Sequence, residues 1–456
     1  MAERTSVFTL FFRRPPFQGG FAIAAGLGSA ADFIEKFKFE ESDLSYLKGL
    51  KAGNGNPLFE GAFLDYLRTL KFTCDIEAVA EGTPIFPYAP VIRVQGPILQ
   101  AQLLESSLLN IINFQTLIAT KACRISMLTQ GDEIVEFGLR RAQGMDGALS
   151  ATRAAFIGGC HSTSNVLAGK LFGIPVRGTH SHSWVMAFDD EEASFEAYAE
   201  VMPNDCVFLV DTHDTIDGVK RAIAVARRHS ELRLLGIRID SGDLAYLSVR
   251  ARELLDDAGF REAKIMASNE LDEMVIRNLK MVGAQIDLWG IGTNLITGKG
   301  QGALDGVYKL SAIRDIDGRW CYKIKTSEQF IKTTNPGILQ VGRFFDDEGI
   351  AVCDMIYDVG MGFSECAELI DSVAHMRRRK IGGNTECRDL LVPLFRGGKR
   401  VYDSPDLFEI QRYTKMQMDR LPKPICRFLY CQPYFVGLEQ QLYALKMRLI
   451  AESKLK

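Results

Sequence analysis

Two histidines one residue apart, His180 and His182 in Gly178-Thr179-His180-Ser181-His182-Ser183, are the first residues here with evident chemical capacity. Alternate residues of a strand face one side, so the pair could share a metal ion. Such a site needs more ligands, and the remaining histidines, His161, His213, His229 and His375, are scattered along the chain. Alternatively, one imidazole acts as nucleophile or base while a carboxylate holds its other ring nitrogen. Asp211, in Asp211-Thr212-His213-Asp214, is the candidate partner. A pair of purely structural hydrogen bonds is the third reading. Arg238 and Asp240 stand on the same side of a strand end. They either form a buried salt bridge or meet, respectively, an anionic substrate and a hydroxyl or water-held Mg²⁺. Asp243 reads as the N-cap of the following helix. Trp289-Gly290-Ile291-Gly292-Thr293-Asn294 runs from a strand into a glycine turn whose amides and threonine hydroxyl suit a phosphate. Gly158-Gly159, followed by Ser162-Thr163-Ser164-Asn165, is a second hydroxyl-rich turn, serving either as an anion site or as a plain helix cap. Taken jointly, these residues point to transfer chemistry on a phosphorylated substrate.

The elements that must position them alternate between strand and helix. Cys206–Val210, Leu234–Ile239, Ile265–Ala267 and Ile286–Ile291 are short apolar runs, and helical stripes such as Val219, Ala222, Ile223 and Ala226 follow them. Successive βα units imply parallel strands whose carboxyl ends share one rim. Asp211, Asp240 and Asn269 recur every 29 residues, each just past a strand, with Gly292-Thr293 after the next. Upstream, Glu136-Phe137-Gly138-Leu139-Arg140 and the 178–183 segment end two more strands, and six polar strand ends fit a barrel better than an open sheet. The reading is therefore an α/β chain: an irregular parallel β/α barrel over 126–310 packed with an α+β sandwich-like domain. That domain is built from 1–125, to which 311–365 returns, and 366–456 is a mainly helical extension. Leu99–Thr120 suits a linking helix, and Met376-Arg377-Arg378-Arg379-Lys380 a solvated helix face.

Length and composition bound the partners. The 456 residues suffice for two or three domains, and 54 Lys+Arg against 57 Asp+Glu give a net charge of −3, which argues against nucleic acid or an anionic membrane as a partner. The apolar run Val7–Phe12 before Arg13-Arg14-Pro15-Pro16 is too short for a signal-peptide core, so a cytoplasmic location is expected. The ten cysteines, none in a Cys-x-x-Cys pair, read as reduced thiols.

The quoted motifs, in this order and context, resemble those of nicotinate phosphoribosyltransferases, and the resemblance extends to Leu10-Phe11-Phe12-Arg13-Arg14 and Val307-Tyr308-Lys309-Leu310. It implies transfer of phosphoribosyl from phosphoribosyl pyrophosphate to nicotinate in NAD salvage. It also implies Mg²⁺, ATP hydrolysis coupled through a phosphohistidine, and a homodimer with sites near the interface. By resemblance, His182 is the phosphorylated histidine and Asp211 the carboxylate that orients it. Phe137 stacks on the pyridine, Arg140 and Arg238 meet the ring and phosphates, and Asp240 serves ribose and metal. Thr179 and Asn269 contact substrate, with Gly292 and Thr293 as the 5′-phosphate cradle. Ser164 stands where the related nicotinamide enzyme carries an acidic residue, so a neutral hydroxyl here favours the nicotinate anion. Family members usually open with a segment resembling Thr-Asp-x-Tyr-x-x-Thr-Met, whose tyrosine covers the pyridine from the neighbouring subunit. No such segment occurs in these residues, and losing that face is expected to cost roughly 1 kcal/mol or more of ring binding. The alternatives are a catalytically impaired paralogue or isoform and, further off, a nicotinamide phosphoribosyltransferase.

Overall fold

Between residues 133 and 291 the short apolar runs become parallel strands because helices return the chain each time to the same starting edge. The computed structural model describes residues 3–229, 234–364, 368–382 and 385–454. Its parallel sheet consists of β1 (Glu133–Glu136), β2 (Ser162–Thr163), β3 (Cys206–Leu209), β4 (Leu234–Ile239), β5 (Lys264–Ala267) and β6 (Leu288–Ile291). The order is β2-β1-β6-β5-β4-β3, with every pairing parallel. The helix Thr215–Arg228 buries Val219, Ala222, Ile223 and Ala226, the stripe expected from their spacing. Asp214, Asp243 and Asp272 cap the helices after β3, β4 and β5 with side-chain oxygens that accept from first-turn amides. Each cap fixes where its helix begins, and so how few residues separate a strand end from that start. The compact unit holding this sheet spans Gln115–Ala303 and Asp406–Lys415, so it begins inside the helix Glu105–Thr129 rather than at 126.

The other unit comprises Met1–Phe114, Leu304–Pro405 and Met416–Lys456. In its seven-stranded sheet, Thr5–Phe12 lies between Gly306–Arg314 and Ile92–Pro97, antiparallel to both. Residues far apart in sequence thus share one core, in which Phe8 stacks on Tyr308 at 4.9 Å between ring centroids. The tail is not mainly helical. Glu368–Asp371, Arg378–Lys380, Glu386–Asp389 and Leu391–Arg396 are strands, beside the helices Leu407–Asp419 and Gln440–Lys454. The basic run at 376–380 supplies an exposed edge strand, and Glu386–Asp389 is the opposite edge of the same sheet. Edge strands are often charged, which removes the apolar alternation that would reveal them in the sequence. Nine cysteines are free, and burial pushes the Cys74, Cys206, Cys353 and Cys387 thiols up to about 12. Cys366 lies outside the described residues. No described helix is long and apolar enough to cross a membrane.

The strand expected before residue 178 shrinks to a single parallel bridge between Thr163 and Val176. Pro175 lacks an N–H and so cannot extend the ladder, although its carbonyl still accepts from the Thr163 amide at 3.0 Å. His180 then reaches toward β3, where its Nε2 accepts the Leu209 N–H at 3.1 Å. A side chain thereby serves a strand amide that no neighbouring strand reaches. An accepting Nε2 assigns the proton to Nδ1 and makes the ring neutral. Burial, with Tyr198 edge-on at 4.8 Å, lowers the His180 pKa to about 4. Below the ordinary value of 6.5 the unfolded chain gains a proton that the folded chain refuses, so this stabilisation is complete above pH 6.5 and falls as pH drops toward about 4. The loss across that window is roughly 3 kcal/mol. His180→Gln, whose amide oxygen can accept the same N–H, is expected to flatten the dependence of urea-unfolding stability on pH over this range, and an unchanged slope would refute the role.

Candidate active site

The carboxyl ends of the six strands lead into most of the residues singled out above. Phe137 follows β1, Ser164 follows β2, Asp211 and Asp240 follow β3 and β4, Asn269 follows β5, and Gly292-Thr293 follow β6. Arg238 lies one residue before the end of β4 and turns its guanidinium to three segments. Nε donates to the Ser268 hydroxyl at 2.8 Å, one terminal nitrogen to the Thr179 hydroxyl at 3.0 Å and the other to Asp240 Oδ1 at 2.8 Å. Its carbon centre lies 5.3 Å from the Phe137 ring centroid, within cation–π range. Phe137 can pack there because residue 290 is glycine; a Cβ at that position would lie 2.9 Å from the ring.

Asp240 is part-buried and also receives the Ser268 hydroxyl. Burial works against its ionisation, but Arg238, Ser268 and His182 outweigh burial and hold its pKa below the usual carboxylate range. Its Oδ2 faces His182 Nε2 at 3.6 Å. The other ring nitrogen of His182 meets the Thr212 hydroxyl at 3.2 Å. Asp211, expected to orient this histidine, makes no hydrogen bond to it. Its Oδ2 accepts the Asp240 amide at 2.9 Å and the Ser241 hydroxyl at 2.6 Å, two donors offered by the neighbouring strand end. The carboxylate therefore ties β3 to β4, while Oδ1 is buried without a hydrogen-bond partner.

His180 and His182 diverge because the extended backbone ends between them. His182 opens the short helix His182–Val185, so the two imidazoles serve a strand amide and a carboxylate respectively. No group of three or more His, Cys, Asp or Glu side chains suited to a metal ion occurs among the described residues. Ser164 donates its hydroxyl to the Glu136 carbonyl at 3.3 Å. Arg140 is exposed on the turn Leu139–Arg141. Asn269 is exposed with φ of 108°, a left-handed conformation costly for a non-glycine residue and frequent at functional sites. Gly292 caps the four-residue helix Thr293–Ile296.

Sequence reasoning passed over Thr212 and Ser268. Ser268 stands one residue past a buried apolar run, at the same rim level as Asp211 and Asp240, and that placement was the available signal. A cavity of about 810 Å³ runs from Phe137, Thr179 and His180 along Val135 and Met266 to Glu133, Leu234, Lys264 and Leu288, the opening residues of four strands. Phe137 and Thr179 are its links to the rim cluster, because Arg238, Asp240 and His182 do not line it.

The chain matches the model of the nicotinate phosphoribosyltransferase N-terminal domain over residues 1–113 and that of the C-terminal domain over residues 339–446. It is 44% identical to a nicotinate phosphoribosyltransferase of Bacillus subtilis (strain 168), over 99% of this chain and 91% of that one. It is 30% identical to the human nicotinate phosphoribosyltransferase, over 99% and 93% of the two chains. The crystal structure of human nicotinic acid phosphoribosyltransferase superposes with a TM-score of 0.84 at 29% identity, covering 98% of this chain and 96% of that one. Near-complete coverage in both directions, together with motifs that meet at one rim, identifies the chain as a member of the nicotinate phosphoribosyltransferase family.

Proposed function

We propose that this protein transfers the phosphoribosyl group of phosphoribosyl pyrophosphate to nicotinate, forming nicotinate mononucleotide and pyrophosphate in NAD salvage, with ATP hydrolysis coupled through His182. The observation that carries the reading is the placement of Arg238 between the Phe137 ring, Asp240 and, through Asp240, His182. Phe137 offers a stacking face for the pyridine, and Arg238 and Arg140 supply positive charge for the nicotinate carboxylate and the phosphates. The pyridine nitrogen lone pair attacks the anomeric carbon as the bond to pyrophosphate breaks, and holding the two reactants in line supplies much of the rate. Positive charge grows on the ribose in that step. An Asp240 kept ionised by Arg238 and Ser268 is suited to grip a ribose hydroxyl beside it. Gly292 and Thr293, at the start of a helical turn, suit the 5′-phosphate, and Asn269 and Thr179 stand by as polar contacts.

The donor set fits Mg²⁺ shared with substrate phosphates rather than enclosed by protein, because Asp240 Oδ2 has only a long contact to His182 and Asp211 Oδ1 is an orphaned oxygen. When bound, the ion would neutralise the departing pyrophosphate. In the coupling step His182 takes the γ-phosphoryl of ATP: a nitrogen–phosphorus bond forms, the bond to the β-phosphate oxygen breaks and ADP leaves. Water later cleaves the phosphohistidine to release phosphate. Thr212 on Nδ1 and Asp240 facing Nε2 hold the ring for this exchange. The reading places the protein in the cytoplasm as a homodimer. The exposed Val166, Leu167, Leu171 and Val176 support the dimer as an apolar surface that a second copy can cover.

Incubation with nicotinate, phosphoribosyl pyrophosphate and Mg²⁺ is expected to yield nicotinate mononucleotide, faster with ATP; its absence under both conditions sinks the assignment. His182→Ala is expected to leave slow transfer that ATP no longer accelerates, measured as product formed per ATP consumed. Ser164→Asp places a carboxylate against the substrate's own, and is expected to raise the KM for nicotinate about tenfold or more, equivalent to at least about 1.4 kcal/mol. Unchanged nicotinate kinetics in that variant would remove Ser164 from substrate selection.

A further inference from the structure

We propose that Glu136, which no substrate is expected to touch, is the positioning residue that holds the pyridine side of the site in register. The proposal rests on the reading above that Phe137 and Ser164 flank the nicotinate ring. Glu136 ends β1 and is 1% exposed. Its Oε1 accepts the Gly138 amide just beyond Phe137. Its Oε2 accepts the Thr163 hydroxyl at 2.7 Å and the Thr152 hydroxyl at 3.0 Å. Its own carbonyl accepts both the amide and the hydroxyl of Ser164, at 3.0 and 3.3 Å. One residue thus joins the turn that carries Phe137, the helix Met145–Ile157 and the turn that carries Ser164.

The directions of these bonds can be assigned. The Ala168 amide donates to Asn165 Oδ1 at 3.2 Å, which sets the orientation of the Asn165 side-chain amide. Asn165 then donates its backbone N–H to the Thr163 hydroxyl at 2.9 Å and its side-chain N–H to the Thr152 hydroxyl at 3.4 Å. Each hydroxyl accepts one hydrogen from Asn165 and keeps its own to donate to Glu136 Oε2. Three donors converge on the carboxyl group, and its ionised form, which only accepts, satisfies all three. Burial pushes the Glu136 pKa up, and Thr163, Gly138 and Thr152 pull against that rise. Space forbids an alternative arrangement at the turn. A Cβ on residue 138 would lie 2.4 Å from Ile296 and 2.8 Å from the Glu136 carboxylate, so glycine lets the amide approach.

Glutamine at 136 would keep shape and volume but aim an N–H₂ at donors already committed, displacing either the 138 turn or the Thr163 turn. Phe137 and Ser164 would then lose their fixed separation, and the defect should appear in nicotinate binding before it appears anywhere else.

The test is steady-state kinetics on the full chain with Glu136→Gln, Thr163→Val and Thr163→Ser, each with a melting temperature. The expected result is a nicotinate KM raised about tenfold or more in the first two, a phosphoribosyl pyrophosphate KM within about twofold of the parent, and recovery in Thr163→Ser, which restores the hydroxyl. An unchanged nicotinate KM in folded variants overturns the proposal. So does a parallel rise of both KM values that tracks the fall in melting temperature, because that is the signature of general loosening. Should Glu136→Gln fail to fold, Thr163→Val decides alone, and failure of both to fold makes Glu136 a stability residue and overturns the positioning role. Parent enzyme that does not turn over nicotinate at all indicts the functional reading beneath, a result distinguishable from every outcome for the variants.

Discussion

Arg238 donates to side chains from three separate chain segments, Thr179, Asp240 and Ser268, and the rest of the site is arranged around that cation. Its fork is planar and permanently charged, so it can hold three acceptors at fixed angles where a lysine would hold one charge at a flexible tip. Asp240 remains ionised despite burial mainly because the guanidinium lies beside it. His182 in turn finds a negative charge opposite one of its nitrogens. Phe137 presents a face to the same cation, so the aromatic ring and the carboxylate share one electrostatic anchor. The net charge of −3 says nothing about this mouth, where the half-buried Arg238 is paired with Asp240.

The alternation of apolar runs with helical stripes made the parallel sheet legible, since burial on both faces leaves a strand no other composition. The rim was legible for the same reason: a polar residue directly after such a run has only the strand end to occupy. The partnerships at the rim were not. Asp211 stands at a strand end next to the histidine segment, which suggested a histidine–carboxylate pair, yet its Oδ2 is taken by the Asp240 amide and the Ser241 hydroxyl. Asp240, one strand over, faces the imidazole instead. A repeat of 29 residues fixes which edge a residue occupies and leaves its rotamer and hydrogen-bond partner open.

The paired histidines show where periodicity stops being informative. Two residues apart, they share a face only while the backbone stays extended, and Pro175 limits the local ladder to one bridge before His182 enters a helical turn. The charged edge strands at 378–380 and 386–389 were hidden by the opposite circumstance. Their ladders are real, but their side chains face solvent and carry no apolar alternation.

Glu136 illustrates a constraint that neither periodicity nor motif matching expresses. The motif Glu136-Phe137-Gly138 draws attention to the aromatic, because stacking is visible as a residue type. The glutamate beside it is buried, and a buried carboxylate is tolerable only when donors surround it. Here the donors are an amide and two hydroxyls whose own hydrogens have been committed by Asn165, the cap of the next helix. The chain of commitments therefore runs from a helix start through two threonines to the turn behind Phe137. A polar network with every direction assigned has one low-energy arrangement, whereas an apolar contact of the same size tolerates sliding. Placing such a network behind the aromatic and the guanidinium before it combines a rigid back wall with a charged front, which is the combination that the proposed reading requires of a site for a planar anion.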